Sequence, residues 1–141
     1  LIGKLQTNKV KFALKIFDYI HSLDSEKLAI KIATERDKQN KNPKLFIQVN
    51  IGNEEQKSGI NKEKIFKFYE FCKKLNLDIV GLMCIPPDKV DSTKYFKEMN
   101  SLNKDINLLD LSMGMSSDYL NAAKNYSTYL RIGSSIFGQR D

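Results

Sequence analysis

Short apolar runs alternate along the whole chain with longer segments whose apolar residues recur at helical spacing, and no Asn-Gly hairpin turn joins any two runs. Parallel neighbours need a crossover of a dozen or so residues, so this alternation at this spacing predicts right-handed βαβ units and a parallel sheet. Six strands are expected, at Leu1–Leu5, Tyr19–Leu23, Leu45–Ile51, Leu77–Ile85, Leu108–Gly114 and Tyr129–Phe137. Five helices separate them: Asn8–Asp18, a helix capped by Asp24 or Ser25, Asn61–Leu75, Asp91 to about Leu102, and Ser117 to about Asn125. The runs at 45–51 and 77–85 are nearly continuous in apolar residues, as expected for strands covered on both faces. The class is α/β, and six consecutive units suit either an open doubly wound sheet or most of an eight-unit barrel.

Charge and cysteine content remove several function classes. The net charge is +6, but the lysines are scattered over polar helix faces instead of gathered in one run, which reads as a solvated surface and not as a nucleic-acid footprint. Cys72 and Cys84 form no disulfide framework, and with His21 as the sole imidazole no metal-ligand spacing appears. A reduced, metal-free cytoplasmic protein is expected. No apolar run approaches the length of a membrane span, and the first residues lack the features of a signal peptide. The chain opens on strand-like residues without an initiator Met, so it is expected to be a fragment.

In parallel α/β proteins ligands sit at the carboxyl ends of strands. Here those ends are polar and small. The first, Gly3 to Lys9, carries Gln and Asn amides and also suits a plain helix-capping turn. The third runs Gln48-Val49-Asn50 into a loop containing Lys57-Ser58-Gly59, where an ammonium can face an anion or simply meet solvent. The fourth, Gly81-Leu82-Met83-Cys84, ends in two prolines; Met83 or Cys84 is placed to face a site or to pack.

The last two ends carry the strongest signal. A phosphate wants converging backbone N–H groups and small hydroxyls, and Ser112 to Ser116 with Gly133 to Ser135 offer both. Arg131 stands between Leu130 and Ile132 in an otherwise apolar strand, one of three arginines in a Lys-dominated chain. A buried guanidinium is costly unless paired, so Arg131 calls for either a structural salt bridge or a ligand.

At these residues the sequence resembles the pyridoxal-phosphate homeostasis proteins, whose single-domain barrel is related to the N-terminal domain of alanine racemase. Four segments carry the resemblance, in family order: Ile2 to Lys9; Val49-Asn50-Ile51 with Glu55 to Gly59; Gly81-Leu82-Met83 with Pro86; and Leu111 to Asp118 continuing to Arg131 through Gly138. The resemblance implies a TIM-type (β/α)8 barrel of which residues 1–141 supply about six units, roughly the C-terminal three-fifths of one cofactor-binding domain. It implies pyridoxal 5'-phosphate as ligand, with Gly133 and Ser134 on the phosphate, Ser112 and Ser116 completing the cradle, Arg131 toward the pyridine nitrogen, and Asn50 and Met83 lining the site.

In the family a lysine on the first strand forms the Schiff base. No segment here resembles that strand, so the lysine is expected N-terminal to this chain, and Lys4, Lys9 and Lys57 are not promoted to the role. Where the family usually has Thr, Ser134 keeps the hydroxyl. The implied function is cofactor homeostasis, buffering and delivery to pyridoxal-phosphate-dependent apoenzymes, with little or no catalysis; the alternative is an amino-acid racemase using the same site. A monomer or homodimer is expected, with neither nucleic acid nor membrane as partner.

Overall fold

The computed structural model describes residues 1–138. Its sheet has five strands in the order β1-β2-β3-β4-β5, all parallel: β1 Tyr19–Leu23, β2 Lys44–Val49, β3 Asp78–Cys84, β4 Asp110–Met115 and β5 Tyr129–Arg131. The helices are α1 Val10–Ile16, α2 Glu26–Gln39, α3 Ile65–Lys74, α4 Thr93–Asp105, α5 Tyr119–Lys124 and α6 Ser134–Phe137. Sequential strands are spatial neighbours, the arrangement of a barrel wall and not of a doubly wound sheet, whose order reverses.

Two expected strands need correction, leaving five where six were expected. Of Leu1–Leu5, only Leu1 pairs in sheet fashion: its backbone nitrogen donates to the Tyr19 carbonyl at 2.6 Å and its carbonyl accepts from His21 N at 2.9 Å. The chain then turns through Gly3 and packs Leu5 into the core ahead of a 3-10 turn at Thr7–Lys9. At the other end the expected strand Tyr129–Phe137 stops at Arg131, and Gly133 starts α6, whose Phe137 N–H bonds the Gly133 carbonyl at 2.9 Å.

Alternation along the strands divides the sheet into two faces. Ile20, Leu45, Ile47, Val49, Ile79, Leu82, Leu111 and Met113 point outward and form one continuous core with Leu28 and Ile32 of α2, Phe68 and Cys72 of α3, and Phe96 and Met99 of α4. Each such Leu or Ile, fully removed from water, contributes about 1.5–3 kcal/mol. Ser25 rather than Asp24 caps α2, its hydroxyl accepting from Leu28 N at 3.3 Å, and Asn40 ends that helix in the left-handed region at φ 50°.

Curvature is set by close approaches and by shifts in register. A Cβ placed on Gly81 would lie 1.9 Å from the Asp110 carbonyl oxygen, so β3 and β4 meet this closely only because position 81 has no side chain. Register slips between Ile20 and Leu23, Leu45 and Phe46, and Ser112 and Met115 add bend. The two edge strands consequently face each other across the concave side: the rings of Tyr19 on β1 and Tyr129 on β5 lie 5.6 Å apart.

Candidate functional site

The concave face carries side chains unlike those of the outer core. At the floor, toward the strand N-termini, Tyr19, His21, Phe46 and Tyr129 pack together; His21 stacks on Phe46 at 4.3 Å and 19°, and Tyr129 meets both edge-on at 5.6 and 5.2 Å. The hydrogen bond with Tyr19, followed by burial, pushes the Tyr129 phenol up to about 12. This aromatic floor closes the curled sheet from below.

Above it lies a buried polar cluster. Arg131, 5% exposed, donates from Nη1 to Ser112 Oγ at 2.8 Å and from Nη2 to the Cys84 carbonyl at 2.8 Å. Among the described residues no carboxylate forms an ion pair with it, so the structural salt bridge is not what holds it. Burial pulls its pKa below the ordinary value, although a guanidinium stays protonated in proteins. Ser112 is fully buried and also bonds His21 Nδ1 at 2.8 Å. Met83, nearly fully buried, sits beside Ser112 in the β3–β4 register.

A second cluster lies at the rim. The Ser116 hydroxyl receives the backbone N–H groups of Gly133 at 3.4 Å and Ser135 at 3.3 Å, so three polar groups converge where β4 and β5 end. Ser134 opens α6 and is exposed, and a Cβ on Gly133 would meet nothing within 4 Å. Asp118 braces the turn below by accepting from Met115 N at 2.8 Å; its side chain does not cap α5. Gly114, at φ 93°, lets that turn pack on Ala122.

The expected site residues thus fall into two groups. Arg131, Ser112 and Met83 meet in the interior, whereas Ser116, Gly133 and Ser134 meet at the rim, so Ser112 supports the arginine instead of joining the rim turn. Asn50 is further round, on a cleft of about 340 Å³ lined also by Gly3, Lys4, Lys57, Met83 and Ile85. Both arms of its amide already close the loop that follows β2, donating to the Glu54 carbonyl at 2.8 Å and accepting from Glu54 N at 3.1 Å. Gly59 makes this fold possible: at φ 126°, a Cβ there would lie 2.5 Å from Asn50 N. Lys57 is tied to Glu54 at 2.8 Å.

His21 is the residue that sequence reasoning passed over, and the signal that singled out Arg131 was present for it too: a polar side chain inside an apolar strand. Burial, with the positive charge of Arg131 beside it, lowers its pKa to about 4. Among the described residues there is no group of three or more His, Cys, Asp or Glu suited to a metal, and no helix long and apolar enough to cross a membrane.

Comparison with known proteins gives one consistent result. The family model for the alanine racemase N-terminal domain matches residues 1–141. Proteins named pyridoxal phosphate homeostasis protein from Aquifex aeolicus and Vibrio cholerae are 38% and 37% identical to the chain over 99% of its length. The chain spans 65% and 63% of those two relatives, just under two thirds. PipY of Synechococcus elongatus, solved with PLP bound, superposes with a TM-score of 0.89 at 31% identity, covering 98% of this chain and 69% of that one. Alanine racemase of Clostridium difficile shares the fold, with a TM-score of 0.71 at 15% identity over 98% of this chain and 38% of that one. With matching motifs, fold and sequence over its whole length, the chain belongs to the alanine racemase N-terminal-domain family, among the pyridoxal phosphate homeostasis proteins.

Proposed function

We propose that this chain contributes the phosphate- and ring-binding wall of a pyridoxal 5'-phosphate site and serves cofactor homeostasis, holding and releasing the cofactor rather than turning substrate over. The observation that carries this is Arg131: a buried cation on the concave face, fixed by two neutral oxygens and matched by no carboxylate among the described residues. A buried charge of this kind is stabilised by an electron-rich ligand. The names of the curated relatives and the PLP bound to PipY supply the class of that ligand.

The residues suit the group. The Gly133 and Ser135 N–H groups and the Ser116 hydroxyl already converge on one point, and the space around Gly133 is open, as a phosphate requires. When bound, the cofactor supplies an aldehyde that condenses with amines and a ring that withdraws electrons. Arg131 retains N–H donors beyond those used by Ser112 and Cys84; one donated to the ring nitrogen would leave that nitrogen unprotonated, because a guanidinium does not give up its proton. That would make the ring a poorer electron sink and disfavour transaminase-like chemistry. Met83, beside Ser112 in the register, would border the ring, and Asn50 would contribute by keeping the 50–54 loop closed.

The Schiff-base lysine that the family resemblance implies would lie outside residues 1–141; the relatives that this chain matches are longer than it is. Pyridoxal-phosphate-dependent apoenzymes in the cytoplasm are the proposed recipients, and the working unit is a monomer or homodimer. Titrating the full-length protein with pyridoxal 5'-phosphate tests the assignment: a saturable absorbance change at stoichiometric cofactor is expected. A strictly linear response, equal to that of free cofactor, overturns it.

A further inference from the structure

His21 is the chain's one imidazole, and it is neither a surface residue nor an ordinary core residue. It sits on the concave face of β1, stacked on Phe46, with Nδ1 2.8 Å from a hydroxyl that is itself 2.8 Å from Arg131. Strands β1 and β5 are the opposite edges of the sheet, so this three-residue chain, passing through Ser112 of β4, spans the concavity.

The direction of its hydrogen bonds follows from donor counting. A guanidinium only donates, so Ser112 Oγ is the acceptor of Arg131 Nη1. Ser112 is fully buried and its hydroxyl has two partners, Arg131 and His21, among the described residues. If Nδ1 donated as well, the hydroxyl proton would be left in a buried site with no acceptor, at a cost of about 1–3 kcal/mol. The satisfied arrangement is therefore Arg131 N–H to Ser112 O, and Ser112 O–H to His21 Nδ1, with the ring proton on Nε2. The lowered pKa of His21 keeps the imidazole neutral in this arrangement.

We propose that His21 is a positioning residue for the cofactor site: by accepting the Ser112 hydroxyl proton it locks that hydroxyl as an acceptor, and so fixes the orientation of the Arg131 guanidinium toward the ligand ring. The proposal rests on the pyridoxal-phosphate assignment of the site. A serine alone is a free rotor; with its proton committed to Nδ1, its lone pairs are held toward Nη1, and the remaining guanidinium hydrogens are aimed before any ligand arrives.

Two substitutions separate this role from packing, because they change acceptor and shape in opposite ways. His21→Phe keeps an aromatic ring on Phe46 but removes the acceptor; His21→Asn loses the ring but returns an oxygen near the position of Nδ1. Both are made in the full-length protein, with two readouts. In the ligand-free state, nitrogen-15 NMR follows the Arg131 guanidinium: distinct, slowly exchanging Nη signals are expected in wild type and His21→Asn, and averaged or lost signals in His21→Phe. With pyridoxal 5'-phosphate added, His21→Phe is expected to bind about tenfold more weakly with a shifted absorbance maximum, and His21→Asn to stay within about threefold of wild type. If His21→Phe matches wild type in both readouts while His21→Asn is impaired, packing is the role and the proposal falls. If wild type binds no cofactor, the assignment of the site fails instead, and the guanidinium signals still decide whether His21 positions Arg131.

Discussion

Replacing Gly81 by Ala should damage stability and binding together, and the structure sets the scale. The added Cβ would lie 1.9 Å from the Asp110 carbonyl oxygen, 2.6 Å from its carbon and 3.0 Å from its Cβ. Real Cβ contacts essentially never fall under 3.0 Å, so β4 would have to withdraw by about 1 Å, and the obstacle is backbone that no rotamer change relieves. The strain falls on the ladder pairing Gly81 with Asp110, Leu82 with Leu111 and Met83 with Ser112. Overpacking of this kind costs about 1–3 kcal/mol, and here the upper end is expected because one side of the clash is a strand carbonyl. Urea denaturation of the full-length protein should show that loss as a lower midpoint at unchanged slope. Because Ser112 shares the ladder and holds Arg131, cofactor affinity should fall as well. A loss under about 0.5 kcal/mol, the range of ordinary surface substitutions, would refute the close approach of β3 and β4 as the element that shapes the site.

Three further outcomes follow from local geometry. Gly133→Ala meets no neighbour within 4 Å, so the urea midpoint should hold while pyridoxal-phosphate affinity drops several-fold, checked by titration. Ser25→Ala removes the oxygen that accepts from Leu28 N and should cost about 1 kcal/mol in the same denaturation assay without altering cofactor affinity. His21 is held neutral in the fold, with its pKa lowered from 6.5 to about 4, so between those values the unfolded chain binds more protons than the folded one. Its contribution to stability is complete above pH 6.5 and is lost as pH falls toward about 4; urea midpoints across that window should slope less steeply in His21→Asn.

The class and strand order were legible because one signal, apolar runs separated by crossover-length helices, repeats along the chain. What that signal does not encode is where a strand stops. Ile132, Ile136 and Phe137 look strand-like, yet the backbone leaves the sheet at Gly133 and begins α6, which supplies the converging N–H groups. At the other end, Leu1 follows the ladder but Gly3 and the 3-10 turn at Thr7 release the chain from it. The curl of the sheet depends on register slips and on the contact at Gly81, neither of which has a periodicity to read.

The site was partly legible for the same reason. Arg131 announced itself because guanidinium is foreign to an apolar strand, and the small residues near 112–116 and 133–135 suggested an anion cradle. Their division into an interior pair and a rim turn was hidden, since Ser112 and Ser116 sit in one short segment, yet Ser112 lies inside β4 and is fully buried whereas Ser116 follows the strand's end at Met115. His21 carried the same signal more weakly, because imidazole is of intermediate polarity and is often found in cores. Asn50 shows the opposite case: an amide at a strand end whose two arms are spent on its own loop.

The central claim is that Arg131 reads a bound cofactor from inside the curled sheet. The direct test is the pyridoxal 5'-phosphate dissociation constant of full-length Arg131→Met, measured beside circular dichroism that confirms an intact fold. Loss of a hydrogen bond from a charged donor is worth about 1.5–3 kcal/mol, so affinity should weaken by about ten- to a hundredfold with a shift in the bound absorbance maximum. Unchanged affinity and an unchanged spectrum in a folded variant would contradict it.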